Sequence, residues 1–177
     1  MPRSTVVLDA CLAITFGNAR ALGVVTEMAA HHVVLAGRAH GEVLRPPASE
    51  EVGQAIQSGT LRLACVDPEI EAEQEALVRF DGASRFHGRG EAEVLALAAS
   101  RGWIVGSDEI AVRRFVRDTL GPDRIAGTMD ILRWAVREER MTVGDAVSLL
   151  DRLDVGPSLV RQIRASGHEP EDLLRRG

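Results

Sequence analysis

Residues 5 to 8, Thr-Val-Val-Leu, form a short, near-continuous apolar run that stops at an acid, Asp9. A strand buried on both faces needs such a run, because neither side of its pleat meets water. Comparable runs recur at Val33 to Leu35, Leu61 to Val66, Trp103 to Val105 and Arg124 to Ala126, with a helical pattern between each and the next. Parallel strands need crossover connections, usually helical, so this alternation predicts a parallel α/β sheet. Asp9 then ends its first strand.

The helical segments follow from their periodicity. Val112, Phe115, Val116 and Leu120 share one face, as do Val143, Ala146, Val147, Leu150 and Leu153. Ala92 to Ala99 is apolar nearly all round apart from Glu93, which predicts a helix packed in the middle of the molecule with Glu91 at its start. Pro46-Pro47 is expected to stop a helix over Arg38 to Arg45, with a second helix capped by Ser49 and favoured by Glu50 and Glu51. Asp81 to Gly90 reads as an exposed loop. A last short helix, carrying Leu159 and Ile163, and a polar tail from His168 expected to fray complete the chain. At 177 residues one core suffices, which divides the chain into a domain over 1–153 and a C-terminal helix and tail over 154–177.

Composition narrows the function. The chain has no Tyr, four Phe and two Trp, too few aromatics for the base-stacking platforms of many single-strand binders. A net charge of -5 argues against a passive phosphate-neutralising module, although acids gathered around divalent cations would reverse the local sign. Lys is absent, so all 21 basic residues are Arg, whose guanidinium suits bidentate phosphate contacts. Arg113, Arg114, Arg85 and Arg89 are the candidates for holding a nucleic-acid backbone, against the plainer reading of solvated surface charges. Cys11 and Cys65 belong to no metal-ligand spacing and are expected to be buried free thiols. His31, His32, His40 and His87 lack zinc spacing and are expected at the surface. With no signal-peptide pattern and no membrane-length apolar stretch, the expected location is cytoplasmic.

Four acids carry the chemistry. Asp9 ends the first strand, Asp108 follows the strand at Trp103 to Val105, and Glu91 opens the apolar helix before that strand. Glu42 lies in the helix after Val33 to Leu35. In an open parallel sheet, ligands collect at the carboxyl ends of the strands. Carboxylates gathered there repel one another unless a cation sits among them, and hard oxygen ligands suit Mg²⁺ or Mn²⁺. Each acid alone has a structural reading: Asp9 as a helix N-cap, Glu42 as a solvated helix residue, Glu91 and Asp108 as acids complementing a helix dipole.

The stretches VVLDACLAI, GEVLR (Gly41 to Arg45), GRGEAEVLALAASRG (Gly88 to Gly102) and IVGSDEIAVRRF resemble, in this order, the four acid-bearing motifs of the PIN-domain superfamily. The later IAGTMDILRWAVREERM is similar to the segment after the fourth motif in a PIN branch of prokaryotic proteins related to VapC-type toxins, so the resemblance spans about residues 5 to 153. It implies a three-layer α/β/α PIN-like fold with a central parallel sheet and a helical C-terminal extension. It also implies an endoribonuclease dependent on Mg²⁺ or Mn²⁺. Asp9 matches the first metal-binding Asp, Glu42 the Glu of the second motif, and Asp108 the acid after a small hydroxyl residue, here Ser107. Glu91 stands where the family usually has an Asp heading an apolar helix, whose apolar positions Val94, Leu95, Ala96 and Ala98 match.

Glu93 is two residues further on, a rotation of about 200° around the helix, so it and Glu91 cannot share a face. Glu91 is the expected ligand, with Ser107, Glu93 and Glu109 as supporting residues. Glu109 reads as an outer ligand or an exposed helix acid. The resemblance further implies an RNA substrate, a toxin–antitoxin role, homodimerisation and a protein antitoxin, for which an apolar face after Thr128 would serve. Two rivals stand beside this reading. A haloacid-dehalogenase-type phosphatase would want a second Asp two residues after Asp9, where this chain has Cys11. A PIN-like scaffold that binds a protein or nucleic-acid partner without cutting would tolerate Glu at the third acidic position.

Overall fold

The computed structural model describes residues 4–28, 30–82, 89–153, 163 and 167–175. Five parallel strands form one sheet in the order β3-β2-β1-β4-β5, with β1 (Ser4–Leu8), β2 (His31–Ala36), β3 (Arg62–Ala64), β4 (Ile104–Gly106) and β5 (Ile125–Ala126). The central strand is the apolar run that opens the chain. Val6, Val7 and Leu8 are fully buried, with Val7 opposite Val34 on one side and Val105 on the other. From β1 the sheet grows outward through β2 to β3, and the chain then returns across β1 to lay down β4 and β5. Strand order therefore reverses between β1 and β4, and the crevice beyond their carboxyl ends is where such sheets place ligands.

Helices cover the sheet in a three-layer α/β/α arrangement. Along the chain they are α1 (Ala10–Asn18), α2 (Leu22–Thr26), α3 (Gly37–His40), α4 (Ala48–Gln57), α5 (Glu71–Asp81), α6 (Arg89–Arg101), α7 (Ile110–Thr119), α8 (Thr128–Arg137), α9 (Val143–Arg152) and α10 (Pro170–Arg175). A 3₁₀ turn, Pro122–Arg124, precedes β5. The expected central helix is α6, whose residues from Ala92 to Ala98 are all buried. It packs on α3 and α5 and against β1, β2 and β4, while α1, α2 and α4 form another packed group. No helix among the described residues is long and apolar enough to cross a membrane.

Several local expectations are corrected. The helix expected over Arg38 to Arg45 is limited to Gly37–His40, and Gly41 leads the chain out of it before the prolines are reached. This shorter helix leaves Glu42 on a turn. The next helix begins at Ala48, with Pro47 at its N-cap and no side-chain cap from Ser49, although Glu50 and Glu51 do occupy its first turn. Asp81 closes α5, and Arg89 and Gly90 open α6, so only the middle of the expected Asp81–Gly90 loop remains between helices, and 83–88 lie outside the described residues. Leu159, in the expected last helix, also lies outside them, whereas Ile163 is helical.

Among its described residues, the tail after His168 does not fray. Pro170–Arg175 forms a helix that packs on α8 and α9, because Leu174 finds an apolar slot and is only 2% exposed. Among the described residues after Thr128, no large apolar side chain is exposed. The exposed large apolar side chains among the described residues, Leu44, Leu63, Ile70, Val78 and Ile110, all precede it. Leu174→Ala should cost about 2–5 kcal/mol in equilibrium urea unfolding, as for a buried leucine. A loss below about 0.5 kcal/mol would mean that α10 does not dock.

Candidate active site

Asp9 follows β1 directly and belongs to both sheet and helix. Its backbone N–H donates to the Gly106 carbonyl at 3.0 Å, extending the β1–β4 ladder by one residue. Its Oδ1 accepts the Leu12 N–H at 2.9 Å, the N-cap bond of α1. The N-cap reading of Asp9 is therefore correct, and it is compatible with a chemical role, since one carboxylate oxygen can cap while the group faces the crevice. Ser107 is the second support. Its hydroxyl bonds to the Asp9 carboxylate and its Oγ accepts the Glu109 N–H at 3.1 Å, so one buried serine ties the ends of β1 and β4 together.

Asp9 is only 3% exposed, and burial pushes its carboxyl up to about 7, against the pull of the Ser107 and Leu12 bonds. The charges of Asp108 and Glu91 push it the same way. Glu109, read from the sequence as an outer ligand or an exposed helix acid, belongs to this group. Instead of a solvated helix acid, it is a half-buried residue at the N-cap position of α7, hydrogen-bonded through its side chain to Glu91. Burial, that bond and the charges of Glu91, Asp9 and Glu42 raise its carboxyl to about 7. Two carboxylates can share a hydrogen bond only if a proton lies between them, and Glu109, its carboxyl raised to about 7, is the one that keeps a proton toward neutral pH.

The other sequence candidates separate clearly. Glu42, although exposed, reaches across to α6, where its Oε1 accepts the Gly90 N–H at 3.1 Å. A Cβ at Gly90 would lie 2.7 Å from that oxygen and 3.1 Å from the Ala39 Cα, so a larger residue would displace the Glu42 carboxylate and crowd the Ala39 backbone. Asp108 is beside Asp9, but its carboxylate turns to the start of α8, accepting the Thr128 N–H at 2.9 Å and the Thr128 hydroxyl at 2.5 Å. Glu93 does not join the cluster. It is 4% exposed and accepts the Arg38 N–H at 2.6 Å and the Val66 N–H at 3.4 Å, which ties α3 to the end of β3. The helical rotation that separates Glu91 from Glu93 thus sends one to the crevice and the other to a structural role.

The arginine candidates also divide. Arg113 is largely buried at 12% exposure, donating to the Ser107 carbonyl at 3.0 Å and standing 3.7 Å from Asp130, so it braces the site from beneath. Arg114 is 82% exposed, with only a 4.0 Å pairing to Asp118. Arg85 and the side chain of Arg89 lie outside the described residues. The cysteines are free, as expected, but Cys11 is half-buried and Cys65 exposed. Cys11 lies against the acids, and burial together with the Asp9 charge pushes its thiol up, leaving it an inert protonated group. His32 is exposed as expected, whereas His31 is half-buried, stacked on Trp134 at 4.1 Å between ring centroids. His40 is half-buried, and His87 lies outside the described residues.

Sequence reasoning missed Thr128, Gly127 and Asp130. A signal was available, because Gly127-Thr128 follows the last strand as Ser107-Asp108 follows β4. A side chain at Gly127 would overlap both Asp108 and Arg113, so glycine is what admits them there. The donor set in the crevice is hard oxygen, the class that suits Mg²⁺ or Mn²⁺. Among the described residues, however, no three acids, histidines or cysteines close around a single point that could hold an ion. Glu91 and Glu109 bind each other instead, and Asp108 binds Thr128.

No protein-family model matches this sequence, and no curated protein shows significant similarity to it.

The raised Asp9 carboxyl has a consequence for stability. Between its ordinary value of 3.8 and about 7, the folded protein keeps a proton that the unfolded chain has released. Asp9 therefore costs stability as pH rises through that window, and the cost is complete above it. In EDTA, Asp9→Asn should be more stable than the parent at pH 8, by on the order of 2–4 kcal/mol, and no more stable at pH 4. The same difference at both pH values would contradict this placement of Asp9.

Proposed function

We propose that this protein is a metal-dependent nuclease of the PIN-domain kind that hydrolyses RNA phosphodiester bonds. The observation that carries the reading is the meeting of Asp9, Glu91 and Glu109, with Glu42 and Asp108 at the margins, at the point where strand order reverses. The charges acting on Asp9 and Glu109 among the described residues are those of other carboxylates. Such a cluster is short of one or two positive charges. RNA as the substrate, and with it a toxin–antitoxin role, a protein antitoxin and a homodimer, rests on the resemblance of the four acid motifs.

Asp9, Glu91 and Glu109 are the residues that would hold Mg²⁺ or Mn²⁺, with Glu42 and Asp108 as further oxygen donors. Once bound, the ion supplies a hydroxide near neutral pH and neutralises charge on the phosphate under attack. The chain's own part is positional. Ser107 keeps the Asp9 carboxylate and the Glu109 backbone in fixed relation. Thr128 locks Asp108 through two bonds, the arrangement by which an outer partner orients a ligand. Glu109 holds a proton at its carboxyl near neutrality, and cation binding would release it, so metal affinity should rise from pH 6 to pH 8.

A second reading is a scaffold that keeps the fold and binds a partner without cutting. It is favoured by the engagement of Asp108 with Thr128 and by the lack of a ready-made ion site among the described residues. Cleavage of a labelled RNA in Mn²⁺ separates the two, run beside thermal melts with and without the ion. The nuclease should cut in Mn²⁺, stop in EDTA and melt higher with the ion. Asp9→Asn should abolish cleavage and keep the fold, and Thr128→Ala should lower activity or metal affinity about 10–100-fold. Cleavage that survives EDTA, or an active Asp9→Asn protein, would refute the nuclease reading, and a protein that neither cuts nor melts higher in Mn²⁺ is the scaffold.

A further inference from the structure

One strand beyond the acids, the same rim of the sheet carries a cavity of about 310 Å³, lined from α7, the 3₁₀ turn, β5 and α8, with Ile163 and, from α10, Leu173 completing the wall. That size is at the lower end of small-ligand pockets, roughly 300–1,000 Å³. Arg113 and Arg117, one turn apart on α7, and Arg133 on α8 line it together with Asp108 and Asp130. Another part of the wall is apolar, formed by Pro122, Ile125 and Met129.

The charges in this cavity do not balance. Asp108 is engaged by Thr128. Asp130 accepts Arg133 at 2.5 Å and the Gly127 N–H at 2.9 Å, with the Arg113 guanidinium 3.7 Å away, so one carboxylate serves two arginines. Arg117 is exposed and has no ion pair among the described residues. The Nε of Arg113 is buried with no acceptor among them, a costly state for a charged donor. The cavity is therefore short of an anion with several oxygens, and guanidinium groups match phosphate in shape and charge. An apolar wall in the same cavity as such a cluster calls for a ligand with a flat, weakly polar part.

We propose that this cavity binds a nucleoside monophosphate unit. Its phosphate engages Arg113, Arg117 and Arg133, and its base lies against Pro122, Ile125 and Met129. The unit is either a free nucleotide or one residue of an RNA chain. The second case rests on the nuclease reading, and Asp108, common to the cavity and the acid cluster, would then bring a neighbouring residue to the acids.

The test is an NMR titration of the protein in EDTA with adenosine 5′-monophosphate, and separately with inorganic phosphate. Saturating shifts should be confined to the elements that line the cavity, α7, the 3₁₀ turn, β5, α8, Ile163 and α10, with the nucleotide binding more tightly than phosphate. Arg117→Ala/Arg133→Ala should weaken nucleotide binding about tenfold or more. Arg117→Ala alone alters an exposed side chain with no ion pair, so it should fold normally and still weaken binding several-fold. No saturating shifts at the cavity, binding unchanged in the folded variants, or a nucleotide bound no better than phosphate would overturn the proposal. A short RNA offered to the Asp9→Asn protein distinguishes the sources: weaker RNA binding in the arginine variants identifies an RNA residue, and unchanged RNA binding with lost nucleotide binding identifies a free nucleotide. Because EDTA removes the cation that cleavage requires, failure of nucleotide binding leaves the nuclease reading standing, and loss of the nuclease reading leaves nucleotide binding measurable.

Discussion

A carboxylate at the end of a strand buried on both faces has little water to solvate it, and the protein around Asp9 is organised to meet that demand. The Leu12 N–H and the Ser107 hydroxyl bond to it, so its position is set by the start of α1 and the end of β4 together. Those bonds do not fully offset its burial, and Asp9 remains a group that holds a proton near neutrality. A stable protein with only structural needs would place an asparagine or serine there, since either caps a helix without the cost of a buried charge. An acid that costs stability at this position is what the proposed cation site would require.

The rest of the cluster follows the same logic. Glu109 and Glu91, both half-buried, meet each other, and Glu42 joins them from the turn after α3 through a bond to Gly90, where a Cβ would crowd the Ala39 backbone. Asp108 and Arg113 occupy the space left by Gly127, and through Thr128 and Asp130 they connect the end of β4 to the start of α8. Short strands with acids and hydroxyls directly after them thus place chemistry from distant parts of the chain along one rim. The packed helix α6 supplies both a crevice acid, Glu91, and a structural one, Glu93.

The parallel sheet was legible because burial on both faces leaves a direct trace in sequence, an unbroken apolar run, and Asp9 and Ser107-Asp108 were placed by the ends of such runs. Helices with one apolar face were equally plain. What escaped was decided by tertiary contact. Between outer ligand and exposed helix acid, the local sequence around Glu109 does not choose until Glu91 is brought beside it, and nothing local shows that Asp108 will turn to Thr128. The residues Arg38 to Arg45 have helical character, yet the chain leaves the helix at Gly41, and Glu42 reaches Gly90 from a turn instead. The tail looked polar because Leu173 and Leu174 are few among many charges, but two apolar residues suffice when α8 and α9 present a slot.

The account depends on the carboxylates at the β1–β4 crevice being a cation site that currently holds protons. A crystal of the full chain soaked in Mn²⁺ at pH 8, with anomalous diffraction measured at the manganese edge, locates the ion directly. The account predicts a peak within coordination distance of Asp9 and Glu91, with the bond between Glu91 and Glu109 broken. No peak at the crevice, or a peak that leaves the Glu91–Glu109 pair intact and Asp9 unliganded, would contradict it.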